Sequence, residues 1–487
     1  MTKTGLASSL VAVVLLAASA AGAQTADSPA WLQDRRYAQG EGILTGDFEL
    51  HPGIAGEVGY DSNWFLRSSA TNIAYANSAP AAPVVSALEF RVTPSLYLST
   101  LSPLRRGERL PDQAGPSLAF RGGVNATYRE FVGLQNSSTS NPTNDVSSQR
   151  NVSIGADGTL DILPERPVGG SLAASYNRVI QPNVITADPD QSFVYDTIGG
   201  AAALKFRPGM GTLSWAVGYR ISDTIFETNT GSPYNNMTQG GTLTGAWRFR
   251  PRTGFFYDLT VDHTEYANSA QAEPVLLVSS TPVRTRLGIN GLITDRFAAQ
   301  AAVGWGASFF NAQQGFPQEP QYDSVIAHAE LKWFLSASPG IQDAAQLGLA
   351  LSSIVLGYDR NFQASYLGNY FGTDRGFLRF NYLFAGRAVV SFEGSAAAIE
   401  YPDLYWSDYT VRHQAYTDVQ VIAALFGEYR FSNSFALNAT LRYSQNISKT
   451  QLLVQEVTPG NPAPAAGGYY DMSWNRFEAF LGLRWFL

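Results

Sequence analysis

The C-terminal segment alternates between apolar and polar or small side chains up to the last residue of the chain. One parity holds Phe477, Ala479, Leu481, Leu483, Trp485 and Leu487, and the other holds Arg476, Glu478, Phe480, Gly482, Arg484 and Phe486. Successive side chains of a strand point to opposite faces, so this segment has one apolar face. The same period of two recurs in segments that begin near Leu118, Leu213 and Phe435. The pattern predicts a chain built almost entirely of β-strands.

The second face of these strands indicates which kind of β protein this is. It carries mostly Gly, Ala, Ser, Thr and Asn with isolated charges, and lysine is almost absent. Charged residues make up 15% of the chain, against about 25% in a soluble domain. Backbone groups in lipid are satisfied only in helices or closed barrels. We therefore predict an all-β fold, a closed antiparallel transmembrane β-barrel.

The N-terminus reads as an export signal. Lys3 is the only charge in the first 26 residues, and an apolar run extends from Leu6 to Ala18. Ala21-Gly22-Ala23 fits a cleavage site, so we predict a signal peptide at 1–23, with a membrane anchor as the alternative. We further predict a short periplasmic segment at 24–46 and the barrel at 47–487. Beyond Gln24 no stretch approaches 18 apolar residues.

Eighteen alternating segments can be counted along the chain. Their centres lie near Ile54, Val92, Val124, Ala156, Ala174, Ala202, Val217, Leu243, Leu259, Leu287, Val303, Ala329, Leu351, Phe380, Phe392, Ala423, Leu437 and Leu481. Long polar spacers such as Ser62–Pro83, Asn361–Asn369 and Lys449–Gly467 alternate with mostly short ones, which predicts long extracellular loops and short periplasmic turns. Two longer turns, Ser102–Gly115 and Ser336–Ala344, leave the count open to within two strands.

Aromatic residues concentrate near the predicted strand ends, where girdles at the two membrane interfaces are expected. The alternative is the aromatic core of a soluble sheet. The predicted girdle residues are Phe255-Phe256-Tyr257, Tyr358, Tyr366, Tyr370-Phe371, Tyr401, Tyr405-Trp406, Tyr409, Tyr469-Tyr470 and Trp485-Phe486.

The end of the first predicted strand carries a recognisable motif. Gly59-Tyr60-Asp61-Ser62-Asn63-Trp64-Phe65 resembles the opening motif of the putative β-barrel porin 2 family of Gram-negative outer-membrane proteins. Some members resemble the barrel partners of exopolysaccharide export systems in myxobacteria. The length and strand count are also similar to those of the alginate exporter. The resemblance implies an integral protein of the outer membrane.

The chain end carries the second part of the resemblance. Outer-membrane barrels commonly end in Phe, which the barrel-assembly machinery reads. Here the last residue is Leu487, behind Trp485 and Phe486, so the predicted assembly signal keeps the apolar parity without the terminal ring.

Charged residues on the polar parity are the candidates for lining the lumen. They are Arg91, Arg121, Arg220, Arg284, Arg286, Arg379, Arg442, Arg484, Glu89, Asp258, Glu393, Glu428 and Glu478. Two interpretations stay open: cross-strand ion pairs that brace a wall of small residues, or a polar track for passing hydroxyls or carboxylates. Arg284 and Arg286 are the best candidates for an anion-facing patch. Tyr97, Phe256, Phe426 and Phe480 either stack on sugar rings or pack against a loop.

The sequence offers little for catalysis or metal binding. Zero cysteines exclude thiolate chemistry and cysteine-ligated metals, and the four histidines are scattered. Asp262 and His263 are adjacent, so they point to opposite faces of a strand. For Asp61-Ser62-Asn63 a turn is favoured over a calcium site. We expect no catalytic, cofactor or metal site, no enzymatic activity, and no binding of nucleic acid by this mildly acidic chain.

Three functional hypotheses follow from this reading. The first, which rests on the resemblance, is export of an exopolysaccharide or capsule-type polysaccharide across the outer membrane. Its expected partners are outer-membrane lipid, the barrel-assembly machinery, a periplasmic polysaccharide export protein and an inner-membrane export complex. The second is a general or substrate-selective diffusion porin. The third is a sealed structural or adhesive barrel.

Overall fold

The computed structural model describes residues 42–68, 84–100, 117–134, 146–180, 194–208, 212–227, 234–266, 277–311, 321–335, 352–366, 369–384, 387–405, 411–453 and 469–487. The predicted signal peptide and most of the predicted 24–46 segment lie outside these residues. Within them, no helix is long and apolar enough to cross a membrane.

Eighteen long strands account for most of the described chain. They are β1 Phe48–Asp61, β2 Ala87–Ser99, β3 Leu118–Gly133, β4 Asn151–Ile162, β5 Val168–Val179, β6 Tyr195–Phe206, β7 Leu213–Phe226, β8 Asn236–Arg250, β9 Thr253–Tyr266, β10 Ser280–Thr294, β11 Phe297–Phe310, β12 Tyr322–Phe334, β13 Ser353–Ser365, β14 Asn369–Phe384, β15 Ala388–Tyr401, β16 Tyr416–Arg430, β17 Phe435–Ile447 and β18 Trp474–Phe486. Short strands at Ile43–Thr45, Leu404–Tyr405, Val411–His413, Gln451–Leu453 and Tyr469–Asp471 lie outside this series, and a 3-10 turn forms at Val146–Gln149.

The strands form one closed antiparallel ring. Each strand pairs with its neighbours in sequence, and β1 closes the ring by pairing with β18 from Gly53↔Phe486 to Asp61↔Glu478. The predicted barrel and its strand number are therefore confirmed. Closure leaves no exposed sheet edge, which is what a sheet in lipid requires.

The alternation of side chains gives the barrel two different faces. Apolar residues are exposed on the outside, as at Val217 (53%), Leu287 (58%) and Leu481 (53%). Several charged residues on the opposite parity are buried, including Glu89 (0%) and Arg129 (1%). The outer face is thus an apolar belt suited to lipid, and the inner face is a polar wall.

Strand position departs from the prediction mainly at β13. Every predicted centre that falls on described residues lies within a strand. The centre at Leu351 lies outside the described residues, which resume just before β13 begins at Ser353. The predicted loop Asn361–Asn369 is wrong, because β13 and β14 pair continuously up to Ser365↔Asn369. The alternating pattern of β13 continues past the point where polar residues suggested that it ended.

Outer-face aromatics gather at the end of the barrel that has the short turns. Phe249 stacks on Phe255 with ring centroids 4.8 Å apart, and Phe297 stacks on Trp333 at 5.9 Å. Two residues predicted for the girdles lie elsewhere. Tyr366 and Tyr370 pack at the extracellular mouth instead, because the β13–β14 hairpin bends inward there.

Candidate functional site: the lumen wall and its extracellular mouth

Buried charges brace the inner wall beside the point where the ring closes. Glu89 on β2 accepts Arg91 Nε at 2.6 Å and Arg91 Nη2 at 3.1 Å. Arg129 on β3 brings its Nε to 3.4 Å from the same carboxylate and donates to Ser153 at 2.9 Å. One carboxylate therefore holds two guanidinium groups on neighbouring strands.

The opening motif forms part of this closure. Gly59 pairs with Phe480, and a Cβ at position 59 would strike that ring and lie 2.6 Å from the Ala479 carbonyl oxygen. Because Gly59 has no side chain, the Phe480 ring fits against it, and the Arg91 guanidinium lies 3.7 Å above that ring. Phe480 is thus a packing residue of the wall in this structure.

The rest of the motif ties β1 to β18. Asp61 pairs with Arg476 Nη2 at 2.5 Å and accepts the Asn63 backbone N–H at 2.9 Å. Asn63 Nδ2 donates to the Arg67 and Asn475 carbonyls, both at 2.8 Å. The predicted turn at Asp61-Ser62-Asn63 is what the structure contains. We call Glu89, Arg91, Arg129, Asp61, Arg476 and Glu478 the seam cluster.

A second group of arginines lies on β7 and β10. Arg220 forms a salt bridge with Asp262 on β9, and Arg286 Nε lies 2.9 Å from Asp258 Oδ2. Arg286, half of the predicted anion-facing patch, is thus already paired with a carboxylate.

Arg284 is held differently. It donates from Nη2 to the Phe362 carbonyl oxygen at 2.8 Å and from Nε to Asn361 Oδ1 at 3.4 Å. Its guanidinium also lies 4.1 Å from the centre of the Phe362 ring. Phe362 belongs to β13, three strands along the ring from β10. Arg284 therefore anchors the end of the β13–β14 hairpin.

The hairpin end leaves the wall and lies inside the mouth. Pairing of β13 with β12 stops at Arg360↔Ala327, and pairing of β14 with β15 starts only at Gly372↔Glu400. The described residues of the intervening hairpin form strand pairs only with one another. Phe362 stacks on Tyr322 of β12 at 4.3 Å, and a Cβ at Gly306 on β11 would meet the Phe362 ring at 2.8 Å. The hairpin thus covers the inner faces of β12 and β11.

The hairpin tip reaches still further along the ring. Tyr366 packs in a cluster with Phe226, Tyr234, Tyr266 and Leu277, at the ends of β7 to β10. Its ring centroid is 5.6 Å from those of both Phe226 and Tyr234. Asn369 Oδ1 accepts the Val278 N–H at 2.9 Å. Burial raises the pKa of the Tyr366 phenol, so its hydroxyl stays protonated. We call residues 361–371 the mouth hairpin.

Two further clusters lie at the same end of the barrel. Trp64, Phe65 and Val85 pack with Phe131, Val146 and Ile180, and Trp64 lies 4.5 Å from Phe131 between ring centroids. Leu404 and Met472 pack with Tyr401 and Tyr416. Apolar packing therefore involves the strand ends on several sides of the extracellular mouth.

The other predicted lumen residues lie nearer the middle or the periplasmic end of the wall. Glu428 accepts Arg430 Nε at 2.8 Å and Arg484 Nη1 at 2.7 Å. Arg379 lies 3.9 Å from both Glu330 and Glu393. Arg442 lies 3.9 Å from Glu478. Arg121 is on the inward parity of β3 and is partly exposed. Most of these charges lie within reach of an opposite charge.

The mouth hairpin is the functional feature that sequence reasoning missed. Its polar residues and its aromatics near a strand end suggested a loop and a membrane girdle. The usable signal was the parity of β13, which continues without a break through Gln363 and Ser365.

Other sequence predictions concern chemistry. Asp262 lies on the inward parity of β9 and pairs with Arg220, whereas His263 contacts Thr281 Oγ1 at 3.1 Å on the outward parity. Across the described ranges, no group of three or more His, Cys, Asp or Glu side chains is arranged to hold a metal ion.

Comparison with known families bears on these observations. Residues 120–346 match the family model described as "Putative beta-barrel porin 2". The match confirms the resemblance inferred from the opening motif, although the motif itself lies before the matched region. No curated protein matches the chain.

Solved outer-membrane proteins have similar folds. The FrpB iron transporter from Neisseria meningitidis (F3-3 variant) has 9% identity and a TM-score of 0.40, over 92% of this chain and 82% of that one. OccAB3 of Acinetobacter baumannii has 11% identity and a TM-score of 0.41, over 91% and 100%. OpdK of Pseudomonas aeruginosa, solved with vanillate, has 10% identity and a TM-score of 0.40, over 90% and 99%.

Proposed function

We propose that this integral outer-membrane barrel, of the kind matched by the beta-barrel porin 2 family, is a selective diffusion channel for small solutes. The observation that carries the proposal is the mouth hairpin. A hairpin packed inside the mouth, anchored by Arg284 and Tyr366, narrows the passage on that side. A narrow, fixed aperture suits small solutes better than a continuous polymer.

The lumen wall supports the same reading. Most inward charges are paired, as at Glu89 with Arg91 and Asp258 with Arg286. Paired charges offer many weak contacts rather than one strong binding site. Conduction requires binding that is weak enough to release the solute.

The direct test is to shorten the hairpin. Replacing residues 362–372 by Asn-Gly keeps the Arg360↔Asp374 pair and supplies a two-residue turn. Single-channel conductance in planar bilayers should rise above that of the unaltered protein. Equal conductance, or no conductance from either protein, would contradict a hairpin-limited channel, and the second result favours a sealed barrel.

Cross-linking the hairpin to the wall is the complementary experiment to shortening it. The chain has no cysteine, so Val278→Cys with Asn369→Cys places a unique thiol pair where the hairpin meets the wall. Cross-linking this pair with a short bismaleimide should hold conductance at the unaltered value. Each single-cysteine variant, treated in the same way, is the control.

Export of a polysaccharide is the alternative outcome in cells. A deletion strain should keep its surface polysaccharides and lose uptake of a small solute. If it instead loses one polysaccharide and keeps solute uptake, the export hypothesis replaces the channel.

A further inference from the structure

The outer surface of the barrel carries opposite charge at its two ends. At the extracellular end of the described strands, outward-parity carboxylates are numerous: Glu130, Asp196, Asp223, Glu265, Asp323, Asp374 and Glu400. Three arginines are described on this face: Arg150 is exposed near Tyr128, and the other two are paired with carboxylates. Arg178 lies 2.5 Å from Glu227, and Arg360 lies 2.5 Å from Asp374.

Hydrogen bonds from Tyr and Trp side chains indicate the depth in the membrane at which these carboxylates lie. Tyr176 donates its hydroxyl to Asp196 at 2.8 Å, and Trp305 Nε1 donates to Asp323 at 2.6 Å. Tyr128 and Tyr358 make the same kind of bond to Glu130 and Asp374. Tyr and Trp collect where one end of the ring is in lipid and the other is in water. The acidic ring therefore lies at the outer membrane boundary.

The periplasmic end is basic. Arginine occurs in or beside each described turn that joins β4–β5, β6–β7, β8–β9, β10–β11 and β14–β15. These residues are Arg166, Arg207, Arg250, Arg252, Arg296 and Arg387, and all six are exposed. The acidic residues described in or beside the turns at this end are Asp47, Glu165 and Asp295, of which Asp295 pairs with Arg252. We call the six arginines the arginine crown.

The arginine crown borders the aromatic belt. The Arg250 guanidinium lies 6.0 Å from the centre of the Phe249 ring, and Phe249 stacks on the outward-facing Phe255. Guanidinium groups beside interfacial aromatics are at the depth of lipid headgroups.

We propose that the arginine crown binds the phosphate groups of anionic phospholipids in the periplasmic leaflet. A guanidinium group matches a phosphate with two parallel hydrogen bonds. The exposed basic residues described in or beside the turns that carry the crown are arginines. The members of the crown lie in or beside five connections at the periplasmic end of the barrel, which fits several lipid molecules around the barrel better than one soluble ligand.

The experiment measures lipid preference of the full-length folded barrel. Protein in a neutral detergent is titrated with phosphatidylglycerol or phosphatidylcholine of identical chains, and bound lipid is counted by native mass spectrometry. Each interfacial arginine contributes roughly fivefold to the binding of an anionic lipid. We expect a preference for phosphatidylglycerol of about tenfold or more in 20 mM ammonium acetate, which falls to about twofold in 500 mM because salt screens exposed charges.

Two matched variants test the assignment. Arg166→Gln, Arg250→Gln, Arg296→Gln and Arg387→Gln together should reduce the preference to about twofold. Glu130→Gln, Asp223→Asn, Glu265→Gln and Glu400→Gln, which remove four charges at the other end, should leave it unchanged. Heat-modifiable migration on gels verifies that both variants are folded.

Three results would overturn the proposal. The first is an arginine variant that keeps the preference of the unaltered protein, and the second is an acidic-end variant that loses the preference to the same extent as the arginine variant. The third arm uses glycerophosphoglycerol, the soluble headgroup. Binding of this compound at the same concentration and copy number as the lipid would identify a site for soluble phosphate esters.

Discussion

The seam cluster and the mouth hairpin both depend on inward arginines, but different groups hold those arginines. In the seam cluster, Arg91 and Arg129 share the buried carboxylate of Glu89, and both stay within the wall. At the mouth, Arg284 reaches across two strands to a backbone carbonyl of the hairpin. The same residue type therefore braces the wall in one place and anchors the mouth hairpin in the other. Loss of the interactions in the seam cluster should lower the free energy of unfolding. Loss of the Arg284 contact should change the conductance of the channel.

The largest expected effect is at Glu89. Glu89→Ala leaves the Arg91 and Arg129 guanidinium groups buried without their carboxylate, which costs about 3–5 kcal/mol when one partner of a buried pair is removed. Urea unfolding in lipid vesicles measures this loss. Conductance of the folded fraction should stay unchanged, and altered conductance at full stability would contradict the bracing role.

The next effect separates lipid-facing from lumen-facing positions of β7. Val217→Arg should cost about 2–4 kcal/mol if position 217 lies at the bilayer midplane, because the outer face meets lipid there. Ala216→Arg, on the inward parity of the same strand, is the control. Equal losses of folding free energy for the two variants would refute the assignment of faces.

At the mouth, Tyr366→Ala should release the hairpin. The variant removes the ring that joins Phe226, Tyr234 and Leu277. Loss of a buried aromatic side chain costs about 3–5 kcal/mol where the structure cannot adjust. Here this cost destabilises the docking of the hairpin against the wall and not the ring of strands. Conductance should rise while the unfolding midpoint stays near that of the unaltered protein. A lower unfolding midpoint with unchanged conductance would show that Tyr366 stabilises the barrel wall, as the seam cluster does, and does not hold the hairpin.

Arg284→Gln should have a smaller effect of the same kind. It removes a charge-assisted hydrogen bond to Phe362, a contribution of about 1.5–3 kcal/mol. Channel openings of larger amplitude, or more frequent transitions between two levels, are the expected readout. Arg286→Gln is the matched comparison, because Arg286 pairs with Asp258 and not with the hairpin. Indistinguishable recordings from the two variants would argue against a special role for Arg284.

The smallest effect is expected from Tyr366→Phe. This change keeps the ring in its cluster and removes only the hydroxyl, which interacts with Asn236. A neutral hydrogen bond contributes about 0.5–1.5 kcal/mol, so conductance should remain close to the original. A rise equal to that of Tyr366→Ala would show that the hydroxyl, not the ring, holds the hairpin.

The barrel could be predicted from the sequence because its main signal is local. Each strand shows the period of two within its own residues, and the alternation at Leu481 or Val217 needs no partner to be visible. The same reasoning identified the inward parity of Arg91, Arg284 and Glu428. It also identified the turn at Asp61-Ser62-Asn63, because Asp and Asn side chains bond to nearby backbone groups.

The mouth hairpin could not be predicted because its position depends on contacts distant in sequence. Nothing near Phe362 indicates that its carbonyl oxygen accepts a hydrogen bond from Arg284, 78 residues earlier. Tyr366 lies near a strand end, as a girdle residue would. Only the three-dimensional ring brings β7 and β10 within its reach. The pairing of Arg286 with Asp258 was hidden for the same reason, since it depends on the register of β9 against β10.

The mouth hairpin also bears on how such a channel can change over generations. The described residues between Asn361 and Phe371 form strand pairs only with one another, so insertions and deletions there leave the register of the other strands intact. Residues are best gained or lost one on each arm, since a shift by a single residue would turn the side chains of one arm to the opposite face. The aperture can therefore be retuned in small paired steps by mutation of one hairpin, while the lipid-facing scaffold is inherited unchanged.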